Sequence, residues 1–209
     1  HSRAVKRIED VRLLRARQFA EDAGSLAHPV RTAQYTEINN FYTLTVYEKG
    51  AEIVRMLHTL LGEADFRAGL DRYFAENDGR AATVEDFLAA LSAASGRDLD
   101  PYLQWYAQAG TPRLQVATRH HDGAFELDIR QHTPATAAQP TPVALPLPLR
   151  IALFDEAGNA LSLEAASVEG GRLCGDLLEI DAAHARVRLG CGAVSVLPSL
   201  NRGFSAPVR

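Results

Sequence analysis

Trp105-Tyr106-Ala107-Gln108-Ala109-Gly110-Thr111-Pro112 divides the chain into two textures. Two of the ten prolines, Pro29 and Pro101, precede Gly110, and the other eight follow it. Before the glycine the sequence reads as capped helices, and after it as short strands punctuated by turns. The expected class is α+β with two domains, 1–110 helical and 111–209 an antiparallel β-sandwich. Charge does not mark the division: Lys and Arg number 13 against 16 Asp and Glu up to Gly110, then 9 against 10.

In the first half Ser2 can cap a helix with Val5, Ile8, Val11 and Leu14 or Arg15 at three-to-four spacing, ending near Gly24. Residues 25–40 hold His28-Pro29 and read as irregular, because proline disfavours helix at the residue before it. Val46, Tyr47, Gly50, Val54, Leu57 and Leu61 then share one expected face, closing at Gly62, and a further segment carries Phe66, Leu70, Tyr73 and Phe74. Thr83-Val84-Glu85-Asp86 resembles a capping box for a helix burying Phe87, Leu88 and Leu91. Asp100-Pro101 reads as a cap followed by proline in the first turn, leading to Trp105 and Tyr106.

In the second half Phe125, Leu127 and Ile129 are spaced by two behind a turn at His121-Asp122-Gly123. Leu145, Leu147 and Leu149 alternate with Pro146 and Pro148, which places that segment at a sheet edge or bulge. Asp155-Glu156-Ala157-Gly158-Asn159 reads as a hairpin turn with Leu161 and Leu163 returning. Later strands are expected at 177–180, 185–189 and 193–197, with 133–142 a solvated loop. Seven or so short strands in about a hundred residues suggest a sandwich.

Composition excludes more than it names. At 46% apolar and 23% charged residues the chain is globular, and no apolar run approaches the ~20 residues that span a bilayer. The start is polar, unlike a signal peptide. A net charge of −4 offers nucleic acid no basic field. Two cysteines, Cys174 and Cys191, are too few for a disulfide scaffold and suit the cytoplasm.

No His-Glu-x-x-His, Cys-x-x-Cys, Gly-x-Ser-x-Gly or phosphate loop is present. Cys174, His184 and Cys191 could in principle ligate a metal, against the blander reading of buried, inert thiols. His28 reads as a loop histidine bonded to backbone rather than a site residue. The acid pairs Glu9-Asp10, Glu21-Asp22 and Glu85-Asp86 read as solvated faces or caps, since adjacent helical residues point apart. One segment is dense in functional side chains: Glu37-Ile38-Asn39-Asn40-Phe41-Tyr42-Thr43-Leu44-Thr45-Val46-Tyr47-Glu48-Lys49-Gly50. A phenol at a helix entrance can donate to a developing oxyanion, and Gly50 would permit close backbone approach. The same pattern also describes amphipathic core tyrosines.

Thr45-Val46-Tyr47-Glu48-Lys49-Gly50-Ala51-Glu52-Ile53-Val54-Arg55-Met56-Leu57 resembles the tyrosine helix of zinc-dependent aminopeptidases of the alanyl aminopeptidase (aminopeptidase N) type. Arg7-Ile8-Glu9-Asp10-Val11-Arg12, Gln18-Phe19-Ala20-Glu21-Asp22-Ala23, Ala27-His28-Pro29-Val30 and the Trp105–Pro112 octet are similar to the same family, in order, as is Phe204-Ser205-Ala206-Pro207-Val208 at its sandwich end. The resemblance implies that 1–110 is the rear of a thermolysin-like catalytic domain and 111–209 the β-sandwich that follows it. In this family two histidines and a glutamate hold zinc, and a Gly-x-Met-Glu-Asn motif anchors the substrate's amino group. All of these lie upstream of the residue matching Ser2.

The resemblance therefore implies a fragment of a broad-specificity aminopeptidase, with zinc in the intact enzyme and none in this chain, which alone is expected to be inactive. Tyr47 matches the transition-state tyrosine, and Tyr42 a tyrosine near the pocket for the leaving residue. Glu9, Asp10 and His28 match positions read as structural. Expected partners are peptide substrates, the remaining domains of the parent chain and, through exposed apolar surface, a second copy; neither nucleic acid nor membrane is expected. The alternative is a stand-alone, non-catalytic interaction module built on the same two folds.

Overall fold

Ser2 caps the first helix, its Oγ accepting from the Val5 amide at 3.3 Å. The computed structural model describes residues 2–192 and 195–209, and the chain separates into two units. One runs up to Gly110 and includes Thr136–Pro140; the other comprises Thr111–Ala135 and Thr141–Arg209.

In the first unit Arg3–Leu13 (α1) passes into a π-helical turn, Leu14–Gln18, and then Phe19–Glu21 (α2). The expected apolar stripe of α1 is not core: Val5 and Ile8 are 46% and 53% exposed, and α1 buries no residue. Burial begins in the π-turn, with Leu14 and Gln18, followed by Phe19. A second π-turn, Thr45–Lys49, leads into Gly50–Asn77 (α3). Each π-turn inserts a residue into the helical count and rotates the following face by about 100°. The buried face runs through Thr45, Lys49, Ile53, Met56, Leu57, Leu60 and Leu61, and the expected line through Tyr47 and Val54 is the outward side. Gly62, at φ 79°, breaks α3 where the sequence predicts an end.

Val84–Ser95 (α4) carries the expected capping box: Thr83 Oγ1 accepts from the Asp86 amide, and Asp86 Oδ2 accepts from the Thr83 amide at 2.8 Å. Its buried residues are Leu88, Ala90 and Leu91; Phe87 is only half-buried, edge-on to Tyr73. Gly69 lets α4 approach α3, since a Cβ there would lie 2.5 Å from Leu91 Cδ2 and 2.9 Å from Leu91 Cα. The second of these is backbone, so the helices must move apart. Gly69→Ala is therefore expected to destabilise the unit by about 1–3 kcal/mol despite alanine's better helix propensity. An unchanged thermal midpoint by circular dichroism would contradict this packing.

Asp100 does not act as a cap. It opens the 3₁₀ turn Asp100–Tyr102, whose cap position is Leu99 with no side-chain bond. Leu103–Ala107 (α5) then buries Trp105 and Tyr106, and Gly110 at φ 93° turns the chain out of the helical unit.

The second unit holds nine strands among the described residues: Arg113–His121 (β1), Ala124–His132 (β2), Leu147–Arg150 (β3), Ala152–Phe154 (β4), Ser167–Glu169 (β5), Gly171–Cys174 (β6), Leu177–Ile180 (β7), His184–Gly190 (β8) and Leu197–Ser199 (β9). They form antiparallel sheets in the orders β1-β2-β8-β5, β3-β7-β6 and β4-β9. Asp122 and Gly123, both at positive φ, make the two-residue hairpin between β1 and β2. Alternating residues Phe125, Leu127 and Ile129 on β2 and Ala185, Val187 and Leu189 on β8 are buried. Pro148 lies in edge strand β3, as a missing amide requires, while Pro146 precedes the strand. Gln131 pins that approach, exchanging two hydrogen bonds with the Leu145 backbone.

After the Asp155–Asn159 turn, Leu161 donates to Leu153, but no returning strand forms through Leu163. Of the strand expected at 193–197, Ala193 and Val194 lie outside the described residues, and Leu197 opens β9. The cysteines are not buried: Cys174 is exposed and Cys191 partly so, because each sits at or just beyond a strand end. No helix of the described residues is long and apolar enough to cross a membrane.

Candidate functional site around Tyr47

The approach to Tyr47 is shaped by local capping. Asn40 Oδ1 accepts from the Thr36 and Glu37 amides, closing the 3₁₀ turn Ile38–Phe41. Thr43 Oγ1 then accepts from the Val46 amide at the entrance of the π-turn. Tyr42 and Tyr47 stack with ring centroids 6.2 Å apart and 26° between planes. Both remain open, Tyr42 67% and Tyr47 57% exposed. They are therefore not core tyrosines; Tyr106 is, and burial pushes its phenol up to about 12.

Beneath the exposed rings lies a polar floor. Thr45 is fully buried, and Glu21 Oε1 accepts from its amide at 2.8 Å and its hydroxyl at 2.6 Å. Gln18 Nε2 donates to the same hydroxyl at 3.3 Å. The Lys49 ammonium, on a side chain 1% exposed, bonds Asp22 Oδ2 at 2.8 Å and the Gly110 carbonyl at 3.0 Å. Asp22 Oδ1 accepts from the Gly110 amide at 3.0 Å. One turn on, Glu52 forms a two-pronged ion pair with Arg7.

Glu21-Asp22 is thus no solvated face. Because α2 ends against the second π-turn, its two acids diverge to separate buried partners. Sequence reading missed this pair together with Thr45 and Lys49; a lysine in register with Ile53 and Met56 was the available signal. Gly50 does not serve close approach either. Its φ is −57°, and a Cβ would meet only Val30 Cγ1 at an ordinary 3.5 Å.

Of the remaining candidates His28 borders this site through Glu21, while His184, Cys174 and Cys191 lie on or beside strands of the second unit. His28 Nδ1 lies 2.8 Å from the Pro29 carbonyl, with Nε2 4.0 Å from Glu21. His184 Nε2 is 2.7 Å from Asp128 Oδ2, and this bond holds the Asp128 carboxyl below the usual range. Cys174 is on β6 and Cys191 follows β8. Among the described residues no three His, Cys, Asp or Glu are grouped to hold a metal ion.

A profile of the peptidase family M1 domain matches residues 5–106, and one described as a domain of unknown function (DUF3458) with an Ig-like fold matches 110–209. Aminopeptidase N of Haemophilus influenzae is 44% identical over the whole of this chain, which covers 24% of that protein. Aminopeptidase N of Escherichia coli is 43% identical with the same coverage. The crystal structure of Legionella pneumophila aminopeptidase A in complex with aspartic acid superposes with a TM-score of 0.72 at 28% identity, covering 97% of this chain and 23% of that one. The chain thus spans about a quarter of the length of the relatives it matches.

Proposed function

Because the chain belongs to peptidase family M1, we propose that residues 1–110 form the rear of the catalytic domain of a broad-specificity aminopeptidase, and 111–209 its β-sandwich. In this reading the enzyme removes N-terminal residues from peptides, and Tyr47 donates a hydrogen bond to the oxygen that gains charge as the peptide carbon becomes tetrahedral. The observation that carries it is an open phenol on a fixed turn, with the Tyr42 ring stacked beside it. Donors fixed in advance pay no reorganisation cost when charge develops, which is why a rigid support matters.

The zinc of this family does not fit the residues present, for want of a grouped ligand set among those described. In this reading the chain alone is expected to be inactive. Its partners would be the other domains of the parent enzyme, in the cytoplasm, where the free thiols Cys174 and Cys191 would stay reduced. A second reading, a non-catalytic interaction module, is favoured by the exposed Val5, Ile8 and Ile38, which suit association with another chain or a second copy.

Metal analysis and release of alanine from a chromogenic amide test the proposal. The 209-residue chain is expected to hold no stoichiometric zinc and to turn over nothing. Stoichiometric zinc with turnover by this polypeptide would overturn it. Size-exclusion chromatography separates the second reading, which predicts a stable assembly of the isolated chain.

A further inference from the structure

We infer that Glu21 and Asp22 are positioning residues that jointly aim the Tyr47 phenol; the inference rests on the reading of Tyr47 given above. Single π-turns inside helices are rare and frequent at functional sites, and the contacts around this one hold it on both sides of Tyr47. Here the hold is symmetrical. Thr45, two residues before Tyr47, is tied through amide and hydroxyl to Glu21. Lys49, two residues after it, is tied through its ammonium to Asp22. Residues two before and two after lie on the far side of the turn, so anchoring both inward turns Tyr47 outward.

The two anchors come from consecutive residues at one helix end, so they cannot drift independently. Asp22 is further locked by the Gly110 amide, while Gly110's carbonyl accepts from the same Lys49, closing a ring of three residues. A buried ion pair is an inefficient way to add stability and a good way to fix one geometry. The neighbours of this ring are polar as well: Gln18 donates to Thr45, and His28 stands 4.0 Å from Glu21. A phenol displaced by an ångström loses most of its effect on a transition state.

The test uses the 209-residue chain labelled with 3-fluorotyrosine, which gives one fluorine resonance for each of its six tyrosines. The Tyr47 signal is assigned by its loss in Tyr47→Phe. Glu21→Ala and Thr45→Val are expected to shift the Tyr47 resonance toward the free amino acid while leaving Tyr73 and Tyr106 in place. Glu21→Gln, which keeps an acceptor, should restore it. A kinetic arm places this chain in H. influenzae aminopeptidase N in exchange for the matching stretch. There Glu21→Ala should lower kcat about tenfold with KM within about twofold, and Glu21→Gln should recover most of the loss.

An unmoved Tyr47 resonance in both Glu21→Ala and Thr45→Val overturns the inference, whatever the chimera does. So does a shift of all six tyrosines together, which marks general support of the fold. If Tyr47→Phe lowers kcat while Glu21→Ala does not, the anchors fail and the assignment of Tyr47 survives. If Tyr47→Phe leaves kcat unchanged, that assignment fails, and with it the purpose of the anchors.

Discussion

Lys49→Met is expected to destabilise the helical unit by about 3–5 kcal/mol, the loss typical of a buried ion pair deprived of one partner. Methionine nearly fills the lysine stem, so little of the effect comes from volume. The cost arises because the Asp22 carboxylate, 0% exposed on its side chain, loses the ammonium that balances its charge. The Gly110 carbonyl loses its donor at the same time. Urea unfolding followed by far-ultraviolet circular dichroism measures the change. Asp22→Asn combined with Lys49→Met removes both charges and keeps an acceptor for Gly110, so it should recover more than half of the loss. A single-variant effect below about 1 kcal/mol would mean that Lys49 reaches water.

Tyr47→Phe carries the largest expected effect on activity. In the chimeric aminopeptidase kcat should fall about 10²–10³-fold, the range for removing one donor to a developing oxyanion. KM should stay within about threefold, because the ground-state carbonyl makes little use of that donor. The ring is more than half exposed and its hydroxyl does not hold up the core, so stability should change by no more than about 0.5 kcal/mol. Tyr42→Phe provides the contrast. Phenylalanine keeps the ring that stacks on Tyr47 and removes only the hydroxyl proposed to face the leaving residue, so Tyr42→Phe should raise KM and lower kcat by less than tenfold. An equal effect of the two variants would show that neither phenol has a distinct role.

The features legible in the sequence were those with local causes. Ser2, Thr83-Asp86, Gly62 and Asp122-Gly123 each act through their own neighbours, and each does in the structure what its spacing predicts. Pro148 could be placed at an edge because a missing amide is a property of one residue. What failed depended on long-range partners. The face through Tyr47 and Val54 was chosen on apolar side chains, whereas the buried face carries Thr45 and Lys49, whose polarity hides it. Thr45 and Lys49 turn inward because buried acids meet them there, and those partners lie more than twenty residues earlier. The stripe of Val5 and Ile8 was legible as apolar, yet periodicity does not say which surface an apolar stripe meets. Tyr47 stood out from its residue type and setting; the role proposed for it rests on family resemblance.

The most direct measurement compares how tightly the chimera and its Tyr47→Phe variant bind a phosphinic dipeptide, which mimics the tetrahedral centre, and an uncleaved ground-state amide. A donor reserved for the transition state requires the phosphinic compound to lose affinity about 10²-fold or more while the amide loses less than about threefold. Equal losses for the two ligands, or no loss for either, would contradict that role.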